Sequence, residues 1–152
     1  MKLRISETLL EAVKRFEGLR LEAYRCPSGV WTVGYGHTQG VTKGMKVNDG
    51  WAERMLVQDL KAAARDIERT GISDKLCRQG QADAVIDFVF NMGITKLRQS
   101  TLLKCIQQGA SDEKVCSELK RWVYGTQNGR KIRLPGLVAR REWEAERWKS
   151  ID

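Results

Sequence analysis

The chain has 152 residues, 41% hydrophobic and 30% charged, a composition that excludes wholesale disorder and supports one domain spanning 1–152. Lys and Arg number 27 against 19 Asp and Glu, and the net charge of +8 favours polyanionic partners: nucleic acid, an anionic membrane face or a cell-wall polymer. Apolar runs such as Phe88-Val89-Phe90 fall far short of the ~20 residues that cross a bilayer, so stable membrane insertion is not expected.

Met1-Lys2-Leu3-Arg4 is followed by Glu7 and Glu11, which leaves no apolar stretch for a secretory signal. The expectation is a chain with no signal peptide or anchor, made and held in the cytoplasm. Cys26, Cys77, Cys105 and Cys116 show no CxxC spacing, and His37 is the single histidine, so no metal site is expected. In that compartment the thiols are expected to be reduced, with a pairing of Cys77 to Cys105 or Cys116 as the alternative after release.

In chain order, Ser6 caps a first helix whose apolar face is Leu9, Leu10, Val13 and Phe16, and Gly18 stops it. From Leu21 to Thr38 the pattern changes. Tyr24, Val30, Trp31, Val33 and Tyr35 alternate with Gly29, Gly34 and Gly36, which predicts a small curled β-sheet. Asp49-Gly50 opens a long helix through Trp51, Met55, Leu56, Leu60 and Ala64, ending near Gly71. Further helices are expected at about 80–91, 100–108, 112–123 and 137–149, with a polar, basic loop over 125–131. Trp122, Trp143 and Trp148 have the spacing of core or half-buried positions. The fold class is α+β, with a β-rich subregion at about 20–48 and a helical lobe at about 50–150.

Glu17 is the first residue that points to chemistry. It falls in the last turn of the first helix, where the macrodipole disfavours a carboxylate by roughly 0.3–1 kcal/mol. A solvated surface glutamate is the plain reading. The same dipole disfavours ionisation, which would keep a proton available for general-acid work. Gly34-Tyr35-Gly36 has neither the third glycine nor the following helix of a dinucleotide fingerprint, so no cofactor is expected. No groove-reading motif accompanies the charge, so nucleic acid is not expected as a partner.

The segment from Glu17 to His37 resembles the signature of the phage-type lysozymes, endolysins of glycoside hydrolase family 24. In that family Glu is followed after eight residues by Asp or Cys, and after five more by Thr. Glu17, Cys26 and Thr32 keep both spacings, and Gly34-Tyr35-Gly36-His37 matches the next strand. Phe90-Asn91-Met92-Gly93 with Ser100-Thr101-Leu102-Leu103 resembles the family's middle helix and turn. Leu134-Pro135-Gly136-Leu137-Val138-Ala139-Arg140-Arg141-Glu142 resembles its C-terminal motif. The likeness runs over about 5–149; Leu97 departs from it, standing where many relatives carry an aromatic residue.

The resemblance implies a lysozyme-like fold, with a small N-terminal three-stranded antiparallel sheet, a mostly helical C-terminal lobe and a cleft between them. It implies a muramidase cutting β-1,4 bonds between N-acetylmuramic acid and N-acetylglucosamine in peptidoglycan, lysing the host cell. Glu17 would be the general acid. Cys26 stands where better-known members have Asp, and two readings are open. It orients water or acts as a thiolate with a cation such as Arg25 nearby, or Thr32 holds the water and Cys26 shapes the site. Relatives with Asp are inverting, which needs about 6.5–9.5 Å between acid and water-activating group.

Tyr24 and Tyr35 serve strand packing or sugar stacking. The match makes Phe90, Asn91 and Ser100 candidates to touch substrate, and places Arg140 or Arg141 beside Glu17, where it would oppose the dipole. Asn128 and its basic loop are a solvated turn or a further substrate contact. His37 is read as structural, bonded to a carboxylate. A monomer released by a holin is the expected biology; a catalytically weakened glycan- or protein-binding module is the alternative.

Overall fold

The computed structural model describes residues 2–151, in which seven α-helices and two short hairpins follow one another. The first helix, α1, spans Glu7–Glu17. Ser6 Oγ accepts from the Leu9 amide at 3.0 Å, satisfying an otherwise orphaned donor, while Leu9, Leu10, Ala12 and Val13 face the core. Gly18 ends the helix with its N–H on Lys14 O, so Glu17 is the last helical residue.

Strands β1 (Arg20–Arg25) and β2 (Trp31–Gly34) pair antiparallel, with Tyr24 opposite Thr32, Arg25 opposite Trp31 and a register shift between Arg20 and Tyr24. The expected third strand does not form among the described residues. Beyond β2, the backbone pairing added to the hairpin among the described residues is limited to the isolated bridges Val33–His37 and Glu22–Lys46. The reason is local: Thr38-Gln39-Gly40 and Lys43-Gly44 break up the stretch, which lacks the alternation a ladder requires.

Helix α2 (Asp49–Arg69) is capped by the Asn48 side chain and buries Ala52, Leu56, Leu60, Ala63, Ala64 and Ile67. A 3-10 turn at Ser73–Lys75 leads into α3 (Gln79–Met92), which lies in the middle of the molecule. Residues 80–89 of α3 are all buried, among them Asp83 and Asp87. A helix enclosed on every side must find partners for its polar groups.

The next elements are α4 (Ile94–Arg98), which sequence reading missed, α5 (Thr101–Gln107) and α6 (Asp112–Leu119). Leu97 of α4 is fully buried. Helix α6 stops four residues before the expected end, and the loop foreseen over 125–131 is instead a hairpin. Strand β3 (Tyr124–Gln127) pairs with β4 (Arg130–Arg133) across an Asn128-Gly129 turn, both residues at positive φ. Asn-Gly is the dipeptide that such a two-residue turn requires.

The last helix, α7 (Pro135–Lys149), packs along α3. The approach is close: a Cβ on Gly80 would stand 2.2 Å from the carbonyl oxygen of Arg147. All four cysteines are free, with Cys105 and Cys116 buried. Among the described residues no helix is long and apolar enough to cross a membrane.

Candidate active site

Glu17 is the point from which the site is built. Its Oε2 accepts from Arg140 Nη1 of α7 at 2.6 Å. Arg140 is itself buried and forks onto Asp87 of α3, with Nε and Nη2 at 2.8–3.1 Å from the carboxylate oxygens. Burial works against the Arg140 charge, but Asp87, and after it Glu17, hold the guanidinium charged beyond its ordinary range. Of the two candidate arginines, Arg140 is therefore the one beside Glu17.

The other side of Glu17 rests on the turn after β2. A Cβ added to Gly36 would lie 2.7 Å from Glu17 Oε1, and Gly36 has a φ of +79°. The positive φ strains any larger side chain there, and its Cβ would displace the Glu17 carboxylate. The Glu17 carboxylate thus sits between a fixed cation and a bare backbone. Its side chain keeps 22% exposure, opening into a cavity of about 480 Å³.

Phe90 and Asn91 from α3, and His37 and Gln39 from the segment after β2, line the same cavity. His37 Nδ1 donates to Asp59 Oδ2 at 2.8 Å, and its ring stands edge-on to Trp51, which ties the post-β2 turn to α2. Asn91 Oδ1 accepts from Arg141 Nη2 at 2.8 Å. Arg141 is fully buried and pairs with Glu144 at 2.7 Å, so it fixes a cavity wall while Arg140 reaches Glu17. Ser100 lies outside this cavity. It is buried at the start of α5, where Oγ donates to Leu97 O and accepts from the Leu103 amide.

The hairpin tip carries the second reactive group. Cys26 Sγ lies 2.9 Å from Ser28 Oγ and is partly exposed. The Ser28 hydroxyl, then the backbone N–H of Val30, lower the thiol from an ordinary value of 9.0 to about 7. Hydrogen bonds do this work. Arg25, the cation offered for one of the two open readings, instead places its guanidinium 5.3 Å from the centre of the Trp31 ring.

Thr32 is a lesser partner of the same sulfur, is 4% exposed, and donates its Oγ1 proton to Val30 O at 2.9 Å. The fold thus joins Cys26 to Thr32 on one hairpin and sets Glu17 against Gly36 at that hairpin's far turn. Among the described residues no hydrogen bond links Glu17 to Cys26 or Thr32.

Tyr24 carries the Arg20 guanidinium 4.1 Å above its ring, and Tyr35 packs against the core. Sequence reading missed Ser28, Gly36, Asp87 and Glu144. One signal was available: Asp83 and Asp87 are four residues apart in the apolar middle of α3, a pattern that calls for buried cations opposite. No group of His, Cys, Asp and Glu among the described residues is arranged to hold a metal ion.

Residues 14–144 match the family model described as phage lysozyme. The chain is 39% identical over 148 residues to an endolysin of Acyrthosiphon pisum secondary endosymbiont phage 1, covering 97% of this chain and 99% of that protein. The muramidase domain of SpmX from Asticaccaulis excentricus superposes with a TM-score of 0.87 at 30% identity, over 97% of this chain and 99% of that one. An endolysin from Escherichia coli O157:H7 phage FAHEc1 gives a TM-score of 0.82 at 31% identity, over 99% and 96%. With a family model spanning most of its length and a near full-length relative at that identity, the chain belongs to the phage lysozyme family.

Proposed function

We propose that this chain is an endolysin muramidase that hydrolyses the β-1,4 bond between N-acetylmuramic acid and N-acetylglucosamine in peptidoglycan, with Glu17 as general acid. The observation that carries the reading is the setting of Glu17. A carboxyl at a helix C-terminus, held by a buried arginine and seated on a glycine that leaves it room, opens into a cavity lined by Phe90 and Asn91.

In this reading the Glu17 proton passes to the departing glycosidic oxygen. On the opposite flank Cys26 takes a proton from the attacking water, and both groups return to their starting states by exchange with solvent. Thr32 is nearly enclosed and its hydroxyl is engaged by Val30 O, which supports Cys26 as the group that meets water. Action of the water from the far side gives inversion. The net charge of +8 draws the protein, as a monomer released from the host cytoplasm by a holin, to anionic wall polymers.

The test is turbidity clearing of purified walls, with the new reducing ends identified by mass spectrometry. Glu17→Gln is expected to abolish clearing while stability stays within about 1 kcal/mol, because Arg140 keeps its three bonds to Asp87. Residual activity above a tenth removes Glu17 from the acid role. Wall binding without clearing by the intact protein identifies a binding module instead.

A further inference from the structure

Behind Glu17 lies a buried cluster in which one carboxyl oxygen has no hydrogen-bond partner. Three carboxyl groups (Glu17 on α1, Asp87 on α3, Glu144 on α7) face two guanidinium groups, Arg140 and Arg141. Asp87, Arg141 and Glu144 are wholly enclosed. Glu144 Oε2 accepts from Arg141, but Glu144 Oε1 is buried without a hydrogen-bond partner. Two carboxylates facing each other are two acceptors, and neither can satisfy the other.

One proton removes the difficulty: on Glu144 Oε1 it becomes a donor to Asp87, and the enclosed oxygen gains a partner. We propose that Glu144 holds this proton and donates it to Asp87, which fixes the Asp87 carboxylate and so keeps Arg140 aimed at Glu17. Glu144 is a positioning residue: it acts through Asp87 and Arg140 and meets no substrate. This rests on the muramidase reading only for its effect on rate.

Burial first, and then the hydrogen bond and charge of Asp87, push the Glu144 carboxyl well above its ordinary value of 4.5, while Arg141 pulls it down. The groups facing it are Asp87 from α3 and Arg141 from its own helix, and Arg140 bonds the same Asp87. Beyond α6, the Trp122 carbonyl accepts from Arg141 Nη1. One turn further along α7, Arg147 pairs with Asp83 at 2.8 Å, a separate contact.

Proton linkage gives a test that needs no substrate. A folded-state value raised above the unfolded one means that folding takes up a proton. That stabilisation is fully present below the unfolded value and is lost as pH rises toward the folded one. Urea unfolding of the full chain and of Glu144→Gln is measured at steps from about pH 5 upward. The ratio of the wild-type unfolding constant to that of the variant is expected to climb toward tenfold per pH unit. A flat ratio means that Glu144 is ionised in the folded chain and overturns the proposal.

Positioning is read from Arg140. Hydrogen exchange of its Nε–H, followed by nitrogen-15 NMR, is expected to speed up at least tenfold in Glu144→Ala, with Glu144→Gln restoring protection. Unchanged protection in the alanine variant overturns the link to Arg140. On walls, Glu144→Ala is expected to lose about tenfold in kcat per folded molecule with KM within threefold, and glutamine to recover it, since its amide can donate to Asp87 and accept from Arg141. If the wild-type protein hydrolyses no wall glycan, the muramidase reading fails, while the linkage and exchange results still decide where the proton sits.

Discussion

An ordinary thiol is only a few per cent ionised at neutral pH, which would make Cys26 a weak proton acceptor. Ser28, two residues on, changes its standing: with the thiol brought down to about 7, roughly half of it is thiolate at pH 7. Wall clearing by the wild-type protein is therefore expected to rise along a limb centred near pH 7, as the base form appears with increasing pH. Ser28→Ala should carry that limb upward, toward the thiol's ordinary range. Cys26→Asp should stay active with the limb moved down to the carboxylate range near ~4, and Cys26→Ala should lose most activity. Should the alanine variant keep the wild-type profile, the water belongs to Thr32. Iodoacetamide should inactivate the wild type and spare Cys26→Asp, a control that accounts for reaction at exposed Cys77. Glu17, Cys26 and Thr32 could be singled out as candidates because they lie at the family's spacing in one unbroken segment. Ser28 was not, because its effect arises only once the tip folds back and brings its hydroxyl to the sulfur.

Between elements, the α3–α7 contact decides whether the site holds its shape. Asp83 and Asp87 are one turn apart on α3, and Arg140 and Arg147 are two turns apart on α7, so the pairs close together along one seam. Gly80 sets how near the two helices come, and Gly80→Ala would drive a methyl group into the Arg147 carbonyl. The helices must then separate, at a cost of about 1–3 kcal/mol read by urea unfolding. Because Arg140 rides on α7, clearing should fall as well; a variant as stable as the wild type would contradict the close approach. Apart from α4, the helices were readable from caps and apolar periodicity: Ser6 and Ser100 each cap where a helix begins, while at α2 and α6 the cap proved to be the residue before the expected one, Asn48 and Ser111. What sequence could not reveal is which helix faces which, since the pairing of Arg140 with Asp87 joins residues 53 apart. The β3–β4 hairpin was misread for a different reason. Its Asn-Gly turn signal was present, but the flanking residues are polar and basic, and a hairpin without a buried face lacks the alternation by which strands are recognised.

At the scale of the whole molecule, the surplus of eight positive charges acts before any bond is cut. The β3–β4 hairpin concentrates it: Arg130, Lys131 and Arg133 lie on one short strand, with Lys120 and Arg121 just before the hairpin. Tyr124, 48% exposed, stands under Lys131 at 5.2 Å from its ring centre. Charges this exposed add little to stability, since water and salt screen them, but they raise the local concentration of an anionic polymer and speed encounter. The triple variant Arg130→Gln, Lys131→Gln, Arg133→Gln is therefore expected to fold with wild-type stability to within about 0.5 kcal/mol. In wild-type protein, raising ionic strength from ~0.02 to ~0.2 M should slow clearing of intact walls several-fold, as the Debye length falls from ~20 Å to below 10 Å. The variant should start slower and lose much less over the same range. Short, uncharged glycan fragments should be hydrolysed by the two at equal rates, because the hairpin lies outside the lining of the cavity at Glu17. Parallel salt curves on walls would assign the attraction to the remaining cations, spread over the surface, and deny the hairpin a special share.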